Sequence, residues 1–298
     1  MQCLKHRLRT CWIRERWMDA IVLTDLARNC DARKESLLSL KGRSLIAHAL
    51  SGEYKVAQSI LNELHLLRGR FLGFAAIRDI ASGSVPLHQI GSVVYAGTPP
   101  DSVVLSCIFA ECIATCAQWF AMPPPQIVLQ CIPQDCHLHY TLICFPGLAI
   151  IRLSRMPEAL DEVRRIVFQE VCHAFLHCGV RLLDEGLAHY CATHFVHSTH
   201  PLHATTTHHG LSDIHELLTM NGDGLFGNNV CCDSGDYRAA VSSGARLIEC
   251  LINTAGIDKL KALFLRISQS TSDAEIIELI EASLGYRLPH TVADGAYS

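Results

Sequence analysis

Between residues 169 and 190 the chain places a carboxamide, carboxylates and imidazoles at helical spacing: Gln169, Glu170, His173, His177, Glu185 and His189. Positions 169, 173 and 177 are four apart, so on a helix their side chains share one face, one turn above another. Two donors one turn apart can reach a single metal ion, and a Glu beside the first is placed to polarise a metal-bound water. The chemistry in view is metal-assisted hydrolysis with Glu170 as general base. Gln169 is the weak member, because its amide oxygen is neutral and zinc sites use His, Cys, Asp or Glu. His177, one turn beyond His173, and His189, one turn beyond Glu185, could supply the nitrogen that Gln169 lacks. Both also read as half-buried polar residues on amphipathic helices. Cys172 sits beside His173, but adjacent helical residues point about 100° apart. It reads as core packing, not as half of a nucleophile pair.

These residues need two facing helices. Pro157 suits a first turn, the acids Glu158, Asp161 and Glu162 suit the positive helix end, and Gly179 suits a stop, so a helix is expected over 157–178. A second is expected over 183–195. Upstream, "QIVLQCI" (126–132), "LHYTLIC" (138–144) and "LAIIRLS" (148–154) read as short strands separated by turns. "SGSVPLHQIGSVVYAGTPPDS" reads as a boundary or linker, followed by a helix from Asp101 to Trp119 that ends at "MPPP". Residues 1–90 read as helical. There Leu45, Ala49 and Leu50 form one apolar stripe, Ser51-Gly52 breaks it, and Val56, Ile60, Leu61 and Leu64 form another. The pair resembles a tetratricopeptide-type hairpin; a helical cap is the plainer reading. Strands followed by helices give an α+β fold: a small N-terminal β-sheet, then a mainly helical subdomain, preceded by the helical region.

The 298 residues suffice for a large core; 49% are hydrophobic and 18% charged. A net charge of −4 argues against nucleic-acid binding. No apolar run is long enough to cross a membrane. The basic start "MQCLKHRLRTCWIRERWMDAIVL" has no continuous apolar stretch and no small-residue cleavage site, so no secretory signal is read. A transit peptide, suggested by its arginines, is opposed by Glu15 and Asp19. The expected location is cytoplasmic. Fifteen cysteines in such a chain are expected to stay reduced, and no C-x-x-C pair points to a zinc ribbon. "HFVHSTHPLHATTTHHGLSDIH" holds seven histidines and reads as a solvated loop that titrates near neutral pH, with a secondary metal site as its alternative. No G-x-S-x-G elbow, P-loop or dinucleotide-binding glycine pattern occurs.

Gln169-Glu170-Val171-Cys172-His173 has the spacing of the zinc motif H-E-x-x-H with Gln in first place. With Leu182-Leu183-Asp184-Glu185-Gly186-Leu187-Ala188-His189-Tyr190 after it, the chain resembles the gluzincin metallopeptidases, the thermolysin-like and aminopeptidase-like zinc enzymes. Their second helix carries a Glu ligand in a phrase like W-L-x-E-G-x-A-x-Y. The resemblance extends over roughly residues 100–270, taking in "PPPQIVLQCI", "GLAIIRLS" as an edge strand, and the later helix "YRAAVSSGARLIECLINTAGIDKLKALF". It implies a zincin-like domain over 100–298 with Zn2+ as cofactor and His173, Glu185 and Gln169, or His177, as metal ligands. Glu170 would be the base, and Gly186 and Ala188 would let the helices approach. Alignment on Gly244 places Val241 where an oxyanion-stabilising Tyr stands in aminopeptidase-like members; Tyr237, one turn upstream, is the candidate substitute.

The leading expectation is a zinc-dependent, peptidase-like hydrolase with an altered first ligand, acting on a peptide or protein. The alternative is a catalytically inactive relative that binds a peptide by strand addition along "GLAIIRLS" and a protein partner through its N-terminal helices. A third is a metal enzyme with non-proteolytic chemistry.

Overall fold

The computed structural model describes residues 34–68, 73–91, 93–98, 103–131, 140–145, 147–153, 156–196, 214–219, 235–268 and 272–288. Their content is mixed α and β, and the chain divides into two compact units, Met1–Glu158 and Ala159–Ser298. The basic N-terminus, most of the His-rich stretch and Cys231-Cys232 lie outside the described residues.

Among its described residues the first unit begins with helices α1 (Lys34–Leu50), α2 (Tyr54–Arg68) and α3 (Phe74–Ala81). The break between α1 and α2 falls at Ser51-Gly52, where Gly52 takes φ +75°, a conformation that favours glycine. Leu45 and Ala49 are buried, as are Ile60, Leu61 and Leu64, but Val56 is 41% exposed. The apolar face of α2 begins instead at Ala57, which lies in register with Ile60, Leu61 and Leu64.

Among the described residues five strands follow: β1 (Leu87–Ile90), β2 (Val93–Ala96), β3 (Gln126–Cys131), β4 (Tyr140–Phe145) and β5 (Leu148–Leu153), in the order β1-β2-β3-β5-β4. The expected linker therefore carries the β1–β2 hairpin, with Leu87 opposite Ala96 and Ile90 opposite Val93. Helix α4 (Val103–Trp119) crosses from β2 to β3, which pair in parallel, so this half of the sheet contains one βαβ step. β5 pairs with β3 in parallel and with β4 antiparallel. It is therefore interior, correcting its expected place at the edge. Among the described strands β1 and β4 stand at the ends of the sheet. The unit's core joins Leu45, Ile60 and Ile77 from the helices to Val94, Val128 and Ile150 from the sheet.

In the second unit the described elements are all helical: α5 (Leu160–Phe175), α6 (Arg181–Phe195), α7 (Ile214–Thr219), α8 (Gly235–Ala255), α9 (Ile257–Ile267) and α10 (Asp273–Leu284). α10 shows how locally these are specified: the Ser272 hydroxyl accepts from the Glu275 amide, and Gly285 ends the helix at φ +77°. Among the described residues no helix is long and apolar enough to cross a membrane.

Candidate active site

α5 starts at Leu160, three residues after Pro157, with Ala159 as its non-helical cap, and stops at Phe175. Leu176 is extended at φ −141° and ψ 121°, so the helix expected to reach 178 ends short. The cause lies further along the chain. The buried Asp184 carboxylate accepts from the Cys178 amide at 2.8 Å and the Gly179 amide at 3.0 Å, which folds 176–180 into a turn. His177 consequently leaves the helical face. Its Nδ1 lies 2.7 Å from Asp184 Oδ2. The expectation that His177 lies on the same helix as His173 is corrected: it lies in the segment after α5, beside Asp184.

His173 and Glu185 do converge. Nε2 of His173 lies 3.7 Å from Oε2 of Glu185, linking α5 to α6. Arg181, one turn before Glu185, brings Nη2 to 3.6 Å from its other oxygen. Tyr237, from the first turn of α8, lies near the same carboxylate and helps hold its pKa down. Glu170 is buried, and its charge acts on His173. Gln169 is half-buried on α5, one turn before His173. His189 is half-buried, with Arg165 of α5 as its charged neighbour.

Burial alone would lower the His173 pKa, but Glu185 and then Glu170 favour the imidazolium and carry it up to about 10. Burial likewise pushes Glu185 up, and His173, Arg181 and Tyr237 more than offset this, leaving the carboxyl below its ordinary range. For His189, burial and then Arg165 both disfavour the charged form, so its pKa falls.

The helices carrying these groups meet closely. A Cβ on Gly186 would stand 2.4 Å from the carbonyl carbon of Gly244, and one on Gly244 would stand 2.4 Å from the Leu182 carbonyl oxygen. Gly186 is thus the small residue that lets α6 approach α8, which carries Tyr237. Val241, at the aligned tyrosine position, is buried.

The donor set decides whether zinc fits. A zinc hydrolase site uses three protein ligands and keeps one position open. His173 and Glu185 are two, and among the described residues no group of three or more His, Cys, Asp or Glu is placed to hold a metal ion. Gln169 adds only a neutral amide oxygen. The described residues do not complete a zinc site.

Arg181 and Asp184 are site residues that the motif reading passes over. Arg181-x-x-x-Glu185 has the i, i+4 spacing of an ion pair. Asp184 carries no comparable sign, since its partners are backbone amides of the preceding turn. No protein-family model matches the chain, and no curated protein or solved structure does either.

Proposed function

We propose that the second unit is a gluzincin-like, zincin-type scaffold with an altered first-ligand position, and that it binds a peptide or protein segment instead of hydrolysing one. The observation that carries this reading is the incomplete donor set. His173 and Glu185 converge from two helices, while Gln169 stands at the first position and His177 is engaged by Asp184. What remains is a half-buried cluster of a cation, a carboxylate and a phenol. Glu185, Tyr237 and Arg181 can meet the amides and carboxylates of a bound segment.

One observation favours the hydrolase reading. At 3.7 Å, His173 Nε2 and Glu185 Oε2 are too far apart for a hydrogen bond. They are close to the ~3.3 Å that zinc bond lengths imply for two ligands of one tetrahedral ion. On that reading Zn2+, held by His173, Glu185 and Gln169, would supply Lewis acidity, and Glu170 would accept the proton of the attacking water.

Elemental analysis of protein purified without a histidine tag separates the two. The binding reading expects substoichiometric zinc in the wild type and a marked gain in zinc affinity in Gln169→His. Stoichiometric zinc in the wild type, with peptide turnover lost in Glu170→Gln by ~10²–10⁴-fold, would establish the hydrolase instead.

A further inference from the structure

Cys172 on α5 and Cys191 on α6 place their Sγ atoms 3.6 Å apart, and neither side chain is exposed at all. Both carry reduced thiols. Cys172 directly precedes His173, and Cys191 lies six positions after Glu185 on the facing helix. The segment between them holds His173, His177, Asp184 and Glu185, that is, the whole turn and both converging side chains.

We propose that Cys172 and Cys191 form a redox-closable pair, a disulfide site that staples α5 to α6 across the candidate site. The oxidant is a hydroperoxide, taken here as hydrogen peroxide. One thiolate attacks a peroxide oxygen and hydroxide leaves, giving a sulfenic acid. The second sulfur then displaces water from it. Two S–H bonds and one O–O bond break, one S–S bond forms, and the peroxide is reduced to two waters. From contact at 3.6 Å the sulfurs need to approach by about 1.5 Å to reach the ~2.05 Å of a disulfide.

The burial that prepares the pair also controls its rate. Neither sulfur is exposed, so a peroxide cannot reach the pair while the two helices stay packed. Oxidation must therefore wait for α5 and α6 to part locally, and once formed the bond is equally shielded from reductants. The device is a slow latch, unlike the exposed Cys107 and Cys131. The inference stands whether or not the site binds metal.

The test treats the full-length wild type with hydrogen peroxide, alkylates remaining thiols under denaturing conditions, and maps the peptides by mass spectrometry. The expected result is a Cys172–Cys191 linked peptide and loss of both from the alkylated pool. Its rate of appearance should level off as peroxide is raised, because opening limits it, while Cys131 oxidation continues to rise with concentration. Oxidised wild type should also melt higher than reduced protein, a shift absent in Cys191→Ala. Recovery of Cys172 and Cys191 fully alkylated after Cys107 and Cys131 have oxidised would overturn the proposal. So would finding either one linked only to a different cysteine.

Discussion

At the scale of single residues, the burial that makes the site also makes it titrate. His189 is held neutral by its surroundings: burial and Arg165 lower its pKa below 6.5, while the unfolded chain keeps the ordinary value. A depressed histidine contributes stability that is present above pH 6.5 and is lost as pH falls toward the folded value, because the unfolded state then binds the proton first. Thermal melts between pH 7.5 and 5 should therefore show an acid-side loss that is smaller in His189→Gln; equal losses in both proteins would remove His189 from the account. Asp184 has a different role, since its carboxylate satisfies two amides and one imidazole. Asp184→Ala leaves the buried Cys178 amide without that partner, at about 1–3 kcal/mol, and the exposed Gly179 amide at less, since water can replace the carboxylate there. Urea unfolding should show the loss, and His177→Ala should cost far less, since His177 is 44% exposed.

At the scale of elements, what could be read from the chain depended on how local the cause was. The α1–α2 break at Gly52, the three strands ending near 131, 145 and 153, and α6 are legible because apolar periodicity and turn residues sit within the elements themselves. The β1–β2 hairpin is not legible, since strands of four residues are too short to alternate and the Gly, Pro and Ser around them signal only turns. The resemblance implies an edge place for β5, and its residues could not correct that, because pairing to both β3 and β4 is a property of the sheet and not of "LAIIRLS". In the site, the convergence of His173 with Glu185 is implied by the resemblance of the Glu185-Gly186-Leu187-Ala188 phrase, together with the helix start and stop signals around His173. The early end of α5 is not, because Asp184, from within the next helix, holds the turn that stops it. The α6–α8 crossing gives this scale its own prediction. Gly186→Ala puts a methyl against the Gly244 backbone, and helix backbones cannot yield as a flexible side chain can. Overpacking of this kind costs about 1–3 kcal/mol. A urea midpoint unchanged from wild type would mean that the two helices separate without cost.

At the scale of the whole molecule, Glu170, His173, Glu185 and Tyr237 all belong to Ala159–Ser298, although they come from three helices spread over 68 positions. Arg181, Asp184 and Arg165, which lie beside the site's imidazoles and carboxylate, belong to the same unit. That unit has a separate core, built on its own helices and sheet. The second buries Val167, Val171, Leu183, Leu187, Leu247, Ile248, Leu251 and Phe264. A chain of about 140 residues is long enough to bury roughly two thirds of its unfolded surface, which suffices for independent folding. A fragment comprising residues 159–298 should therefore be helical by circular dichroism and melt in one cooperative transition. In the Gln169→His background it should bind zinc as tightly as the full chain carrying the same change, because every donor travels with the fragment. A cooperative melt with zinc affinity lost would show that the first unit contributes to the site. A broad, non-cooperative melt would show that the helices from α5 to α10 do not form a core unaided. Equal affinity in fragment and full chain is the outcome expected if the site is the property of one unit.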